Sequence, residues 1–225
     1  MEQYKLYIND TGKGRKWLHV STVSVLWFGL ILQITISIPT YLKAGRSLEG
    51  TLVQLFSFFT ILVNLLAAIC LTALFKTNSR LGKYFFQPRI LSAIALYITI
   101  VGLVYNLVLR NLWHPEGLFK LADELLHSVN PLLFVVYWLV YAPKANLKWI
   151  EALNWLWVPF IYSVYVFIRG SISHLYPYPF LNIDKLGVSQ VAINSLLMLI
   201  AFLLIGFLFV WINRLMVKRN SGAIV

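Results

Sequence analysis

The run "VSQVAINSLLMLIAFLLIGFLFVWI" (residues 188–212) contains no charged residue. A predominantly apolar stretch of ~20 residues or more is typical of a helix that crosses a membrane, because backbone amides in hydrocarbon must be paired within their own segment. Across all 225 residues, 60% are hydrophobic and only 12% are charged, which is outside the usual range for a soluble domain. The sequence therefore predicts an integral membrane protein.

Five further apolar segments precede this run, so the sequence predicts six membrane-spanning helices. Their expected positions are near residues 17–38, 52–75, 90–109, 119–141, 153–168 and 188–212. The loops between them are too short for a separate soluble domain, and neither internal repeats nor the broken helices of many transporters are visible. We expect one all-α transmembrane domain over residues 1–225.

The net charge of +11 would suit a nucleic-acid-binding protein if the basic residues were clustered. Instead, most of the nineteen lysine and arginine residues fall in alternate connections. Those on the basic side are Lys5, Lys13, Arg15, Lys16, Lys76, Arg80, Lys83, Arg89, Lys144, Lys148, Arg214, Lys218 and Arg219. By the positive-inside rule, both termini are predicted to be cytoplasmic in a multi-pass protein. The basic excess then indicates orientation and attraction to anionic lipid at the cytoplasmic face, with no nucleic acid partner.

Polar residues inside a membrane are costly and usually face the bundle interior, so we compared their depths. Counting from the nearest basic residue on the cytoplasmic side, Thr60 lies sixteen residues before Lys76 and His127 seventeen before Lys144. Five polar side chains fall at this one depth, in the outer half of the membrane, and form the predicted polar layer: Gln33, Thr60, Asn106, His127 and Tyr165.

Helical spacing places further polar residues on the same faces as Thr60 and His127. Ser57, Thr60 and Asn64 form one stripe, and a second stripe contains Asp123, His127, Asn130, Phe134 and Tyr137. Asp123 is one turn from His127, which is close enough to orient the imidazole ring.

A hydroxyl beside an imidazole is the minimum for nucleophilic acyl transfer. The predicted site therefore has Thr60 as nucleophile, His127 as base and Asp123 as the orienting group. Oxyanion donors are expected among Asn64, Asn106 and Asn130. Substrate contacts are expected from Gln33, Tyr137, Tyr165 and Arg169. This chemistry requires no metal or other cofactor, and the expected substrate is a lipid or lipid-like ester.

Three motifs carry a resemblance to a known group: "FFTILVN" (58–64), "HSVNPLLFVVYW" (127–138) and "YPYPFLN" (176–182). They resemble the bacterial six-helix integral membrane proteins of the Pr6Pr type and, more remotely, the androgen-inducible membrane hydrolases of animals. The resemblance implies a threonine hydrolase of fatty acid esters of hydroxy fatty acids in the bacterial cell membrane. It also implies that Thr60 and His127 are the catalytic residues.

Two other interpretations remain open from the sequence. A metal-dependent membrane hydrolase is one, because His114, His127 and His174 lie toward the outer side together with several acidic residues. A carrier or structural partner without chemistry is the other. The polar segment "RGSISHLYPYPFLN" (169–182) is predicted to form an outer cap, in which Arg169 binds a substrate carboxylate or phosphate or simply anchors the fifth span.

Overall fold

A computed structural model describes residues 13–112 and 114–222. Helices make up 83% of it, and no β-strand occurs in these two ranges. Six helices are long and apolar enough to cross a membrane, and we call them spans one to six. They are Lys13–Lys43, Phe59–Lys76, Pro88–Leu109, Gly117–Tyr141, Ile150–Ser173 and Ile183–Lys218. The predicted all-α, multi-pass architecture is confirmed, whereas Lys5 lies outside the described residues.

Several spans contain more than one helical segment. Span two is an α-helix over Phe59–Ala73 with a 3₁₀ turn at Leu74–Lys76. Span three is α-helical over Pro88–Val104 and has a π turn at Tyr105–Leu109. Span four joins Gly117–Glu124 to Asn130–Tyr141 through a π turn at Leu125–Val129. Span five joins Ile150–Asn154 to Trp157–Ser173, and the last helix, Ile183–Gly222, is kinked at Gly187.

Short helices connect some of the spans. They are Leu48–Leu55, Arg80–Phe85 and the 3₁₀ turn Pro179–Leu181. Spans two, four and six begin at the same end of the bundle, which we call the distal end. One hydrophobic core draws on every span, with Val23, Ile61, Leu91, Phe134, Trp155 and Phe202 as examples.

Burial differs strongly between the spans. In the most apolar window of each, 56% of span two and 61% of span three are buried, against 11% of span five. Spans two and three therefore form the centre of the bundle, and span five lies at its edge.

The beginning of span two differs from the prediction. Its helix starts at Phe59 and not near residue 52, because Leu48–Leu55 is a separate helix and Phe58 is extended, with φ −81° and ψ 124°. Ser57 therefore precedes the helix that carries Thr60 and Asn64. The predicted single stripe of these three residues is wrong.

Hydroxyl groups from span five satisfy the backbone at this break. Tyr162 donates to the carbonyl oxygen of Ser57 at 2.8 Å, and the Ser57 hydroxyl lies 2.7 Å from that of Tyr165. Irregular backbone at membrane depth is tolerated where protein groups replace the missing helical partners. The break is thus stabilised by tertiary contacts that the local sequence does not specify.

The end of span five also differs from the prediction. The helix continues through residues 169–173, which were expected in the polar cap, and ends at Ser173. His174 then takes the left-handed conformation, with φ 55°, and ends the helix. The cap over the distal end accordingly consists of residues 174–182.

Candidate active site

Thr60 lies in the first turn of the span two helix and is almost fully buried. The residue before that helix, Phe58, makes no side-chain cap, so the first backbone N–H groups have no helical acceptor. The Thr60 N–H donates instead to the hydroxyl of Tyr178 at 3.3 Å. The break in span two thus places the Thr60 hydroxyl and backbone amide at the end of a helix dipole, where negative charge is stabilised.

His127 contacts Thr60 directly. Its Nε2 atom is 3.2 Å from the Thr60 Oγ1 atom, and its Nδ1 atom is 2.9 Å from the carbonyl oxygen and 3.0 Å from the carboxylate Oδ1 of Asp123. A carbonyl oxygen can only accept, so Nδ1 carries a hydrogen, and in the neutral imidazole Nε2 then presents a lone pair to Thr60. The structure therefore brings Thr60, His127 and Asp123 together, as their spacing predicts.

Tyr105 fixes the other side of this group. Its ring stacks on the His127 imidazole with centroids 4.1 Å apart and an interplanar angle of 14°, and its hydroxyl donates to Asp123 Oδ2. Both carboxylate oxygens of Asp123 are therefore engaged, one with His127 and one with Tyr105. Such contacts restrict the imidazole to one orientation.

Local sequence explains the position of His127 in a π turn. The backbone N–H of Asn130 donates to the carbonyl of Leu125, five residues earlier, and Pro131 has no N–H to donate. The carbonyls of Leu126 and His127 receive side-chain donors instead. Asn64 Nδ2 lies 3.1 Å from the Leu126 oxygen, and Asn106 Nδ2 lies 3.2 Å from the His127 oxygen. The π turn is thereby bonded to spans two and three.

These bonds change the interpretation of the three asparagines. The Asn64 amide also donates to the Thr60 carbonyl at 2.9 Å, Asn130 donates to Asn64 Oδ1 at 2.8 Å, and Asn106 donates to the Gly102 carbonyl at 2.8 Å. Their amide groups are committed to joining spans two, three and four. The structure does not direct them at Thr60 as oxyanion donors.

Tyr178 is the site residue that sequence reasoning missed. Its hydroxyl is 3.4 Å from Thr60 Oγ1 and 3.3 Å from the Thr60 nitrogen. Burial raises the pKa of the Tyr178 phenol, so it remains protonated around neutrality. The "YPYPFLN" motif contains this tyrosine, but nothing in the sequence distinguishes it from Tyr176 two residues earlier.

Two cavities meet at these residues. A cavity of about 700 Å³ is lined mainly by apolar side chains of spans three, five and six, including Val104, Trp157, Phe160 and Phe202. A second cavity of about 530 Å³ is bounded by span one and the cap, and its lining includes Gln33, Thr40, Asp123 and Pro179. The side chains that line both are Thr60, Tyr105, Leu109, His127 and Tyr178.

The other predicted substrate contacts are only partly brought to the site. Gln33 lines the second cavity and donates to Ser37 at 2.8 Å. Tyr165 bonds Ser57 at the break but lines neither cavity. Arg169 donates to Gln54 Oε1 at 2.8 Å and to the Leu175 carbonyl at 2.7 Å, so it fastens the cap to the helix before span two.

Tyr137 is not brought to the site. It is fully buried beside His19, whose Nε2 atom lies 2.7 Å from the carbonyl of Leu71. Leu71 is three turns along span two from Thr60, or ~16 Å of helix. Tyr137 is therefore a packing residue nearer the opposite end of the bundle.

No three His, Cys, Asp or Glu side chains among the described residues lie close enough together to hold a metal ion. Among the predicted polar residues, the Thr60 hydroxyl, the His127 imidazole and the Asp123 carboxylate contact one another in sequence. The fold and site thus define a multi-pass membrane protein with a triad-like group at its distal end. No protein-family model, curated protein or solved structure matches the chain, so the resemblance described above stays a prediction.

Proposed function

We propose that this protein is an intramembrane lipid-ester hydrolase in which Thr60 is the nucleophile and His127 the general base. The supporting observation is the 3.2 Å contact between Thr60 Oγ1 and His127 Nε2, together with the contacts of His127 Nδ1 with Asp123. The same order of contacts activates the nucleophile in serine hydrolases.

The reaction would proceed in two halves. His127 takes the hydroxyl proton as Thr60 Oγ1 attacks the ester carbonyl carbon, and the resulting intermediate expels the alcohol, which His127 protonates. Water then attacks the acyl-threonine with His127 again as base, releasing the fatty acid and restoring the Thr60 hydroxyl. The Thr60 N–H, which donates to the Tyr178 hydroxyl in the structure, lies at the helix start and would turn to the oxyanion when it forms.

The two cavities indicate a substrate that extends on both sides of the reacting carbonyl. Each volume lies within the ~300–1,000 Å³ range of small-molecule sites. The larger, apolar cavity would accept the acyl chain, and the cavity beside Gln33 and Thr40 would accept the alcohol portion. Fatty acid esters of hydroxy fatty acids, the class implied by the resemblance, fit this division.

Orientation and location are part of the same proposal. The positive-inside rule places the distal end on the outer side of the membrane and directs the basic connections toward anionic lipid on the cytoplasmic side. The resemblance implies the bacterial cell membrane. The substrate would then be drawn from the outer leaflet.

Covalent labelling by a fluorophosphonate probe tests the proposal. The wild-type protein in detergent or vesicles is expected to label at Thr60, as mapped by mass spectrometry, and Thr60→Ala and His127→Ala are expected to lose labelling. Thr72→Ala, on the same span, and His174→Ala, an exposed histidine, are matched controls that should label normally. A wild-type protein that elutes as a folded species yet neither labels nor cleaves long-chain esters would refute the proposal.

A lipid carrier is the second candidate, and the cavities favour it. Span five is only 11% buried in its apolar window and lines much of the larger cavity, so a bound lipid would have direct contact with the bilayer. A carrier would copurify with lipid and bind it equally well after Thr60→Ala, without any probe labelling.

A further inference from the structure

We infer that Tyr178 is a catalytic residue that donates its phenolic hydrogen to the carbonyl oxygen of the substrate as that oxygen becomes negative. This inference rests on the proposed ester hydrolysis and assigns a role to a residue outside the Thr60, His127 and Asp123 group. It starts from the position of one hydroxyl, which lies 3.4 Å from Thr60 Oγ1 and 3.3 Å from the Thr60 nitrogen.

Thr60 has two hydrogens to donate, one on its hydroxyl and one on its backbone nitrogen. The Thr60 hydroxyl hydrogen is directed to His127 Nε2, and the Thr60 N–H donates to the Tyr178 oxygen. With these two hydrogens placed, the Tyr178 hydroxyl is the group that can donate toward Thr60 Oγ1, where the new bond to the substrate forms. Both distances are longer than a typical hydrogen bond, so neither contact holds the Tyr178 hydroxyl tightly to Thr60 before the substrate binds.

The neighbouring tyrosines do not supply this hydrogen. Tyr105 donates to the Asp123 carboxylate, and Tyr162 donates to the carbonyl oxygen of Ser57 at 2.8 Å. Both donors are used to maintain the site. Of these three tyrosines, Tyr178 is thus the one whose hydroxyl lies within 3.4 Å of Thr60 Oγ1.

The cap holds the Tyr178 ring in place. Its ring stacks on Phe180 with centroids 5.3 Å apart and meets the edge of Phe58 at 6.0 Å. The cap backbone is fixed on both sides, by Arg169 at Leu175 and by Asn194, which donates to the Phe180 carbonyl at 2.8 Å. A donor that is already oriented stabilises developing charge without a reorganisation cost.

No proton leaves Tyr178 during the step. When Thr60 Oγ1 bonds to the carbonyl carbon, the carbonyl π electrons move to oxygen. The hydrogen bonds from the Tyr178 hydroxyl and the Thr60 backbone N–H to that oxygen then shorten. When the alcohol departs, the C=O double bond forms again and the contacts lengthen. The raised pKa of the buried phenol keeps its hydrogen in place throughout.

The test compares Tyr178→Phe with Tyr176→Phe in the full chain, in vesicles of one composition. Removing a single oxyanion donor lowers kcat by about 10²–10³-fold. We expect this loss for Tyr178→Phe, in both ester turnover and the rate of fluorophosphonate labelling, with KM changed by less than about threefold. Tyr176→Phe should resemble the wild type.

A fluorinated tyrosine at position 178 provides a variant that keeps the hydroxyl. Because fluorination lowers the phenol pKa, the alkaline limb of the activity profile should move to lower pH, which a packing role would not cause. If Tyr178→Phe does not fold, this shift alone decides the inference. Three results would overturn the role of Tyr178: a kcat of Tyr178→Phe within threefold of the wild type, a change confined to KM, or an activity profile that fluorination does not move. In each case Thr60→Ala would still be inactive, so the proposed hydrolysis would stand. An unreactive wild type overturns both proposals.

Discussion

Replacing Asn64 by alanine tests how the π turn that carries His127 is held. Asn64 is fully buried, donates to the Leu126 carbonyl at 3.1 Å and accepts from Asn130 at 2.8 Å. The substitution removes both contacts between spans two and four. It also leaves the Leu126 carbonyl without its side-chain donor, and Pro131, five residues later, has no N–H that could replace it.

The expected cost follows from these contacts. Hydrogen bonds between membrane helices contribute about 0.6 kcal/mol each on average, and a buried polar group left unsatisfied costs about 1–3 kcal/mol. Together they lower the free energy of unfolding by about 2–4 kcal/mol. For a chain of this size, that corresponds to a fall in Tm of about 5–15 °C.

Thermal unfolding in a single detergent, followed by size-exclusion chromatography, measures this effect. Asn106→Ala is the matched control, because Asn106 makes the equivalent bond to the His127 carbonyl but is exposed, so the cost should stay below about 1 kcal/mol. In a double-mutant cycle, Asn64→Ala and Asn130→Ala should couple, since the two side chains are in contact. If Asn64→Ala is no more destabilising than Asn106→Ala, burial of the carbonyl does not explain the role of Asn64.

Three further predictions concern Asp123, Gly102 and Lys144. Asp123→Asn should lower the rate of probe labelling by about 10²–10⁴-fold without loss of folding, because the amide no longer holds the Nδ1 hydrogen of His127 with a charge; an unchanged rate would contradict the orienting role. Gly102→Ala should cost about 1–3 kcal/mol in thermal unfolding. Its Cβ atom would lie 3.1 Å from the rigid ring of Pro131 and 3.2 Å from the His127 carbonyl. Gly206→Ala, with 3.4 Å to its nearest neighbour, should be neutral or stabilising. Burial lowers the pKa of Lys144 to about 7, against about 10.4 in the unfolded chain. Between these two pKa values the unfolded state therefore binds more protons than the folded state. The free energy of unfolding should then rise with pH by at most ~1.4 kcal/mol per pH unit above pH 7. Lys144→Met should abolish this rise.

The spans and the central pair of the site were predictable from the sequence for physical reasons. Long apolar runs between charged residues leave the helix as the structure that pairs its own backbone. Thr60 and His127 lie at nearly equal distances from Lys76 and Lys144, and spans two and four run in the same direction, so the two residues were expected at similar depths. Their 3.2 Å contact agrees with that reasoning.

The break before span two could not be predicted in the same way. Apolar residues continue through "LVQLFSFFTILVN" (52–64), so hydropathy gives no sign that the helix is interrupted. The interruption depends on Tyr162 and Tyr165, which are distant in the sequence and supply hydrogen-bonding groups to Ser57. Local sequence therefore favours one long helix, and tertiary contacts stabilise two.

The asparagines illustrate a similar limit. Pro131 predicts a missing backbone donor, but the sequence does not indicate which helix supplies the replacement. In the structure the replacements come from Asn64 and Asn106, whose amides were predicted to serve catalysis. Tyr178 could not be predicted from the sequence, because it lies in a loop and no helical periodicity places it near Thr60.

The length of span two links the site to the thickness of the surrounding bilayer. This span has 18 residues, the fewest of the six, and rises ~27 Å against a typical hydrocarbon core of ~30 Å. Thr60 lies at the distal end of this span, so a mismatch at that end falls beside Thr60. A thin bilayer would bring the Thr60 hydroxyl to the headgroups and to water, whereas a thick one would submerge it in hydrocarbon or deform around it. If Thr60 is acylated as proposed, the acyl-chain length of the host lipids would control how readily water reaches the acyl-threonine.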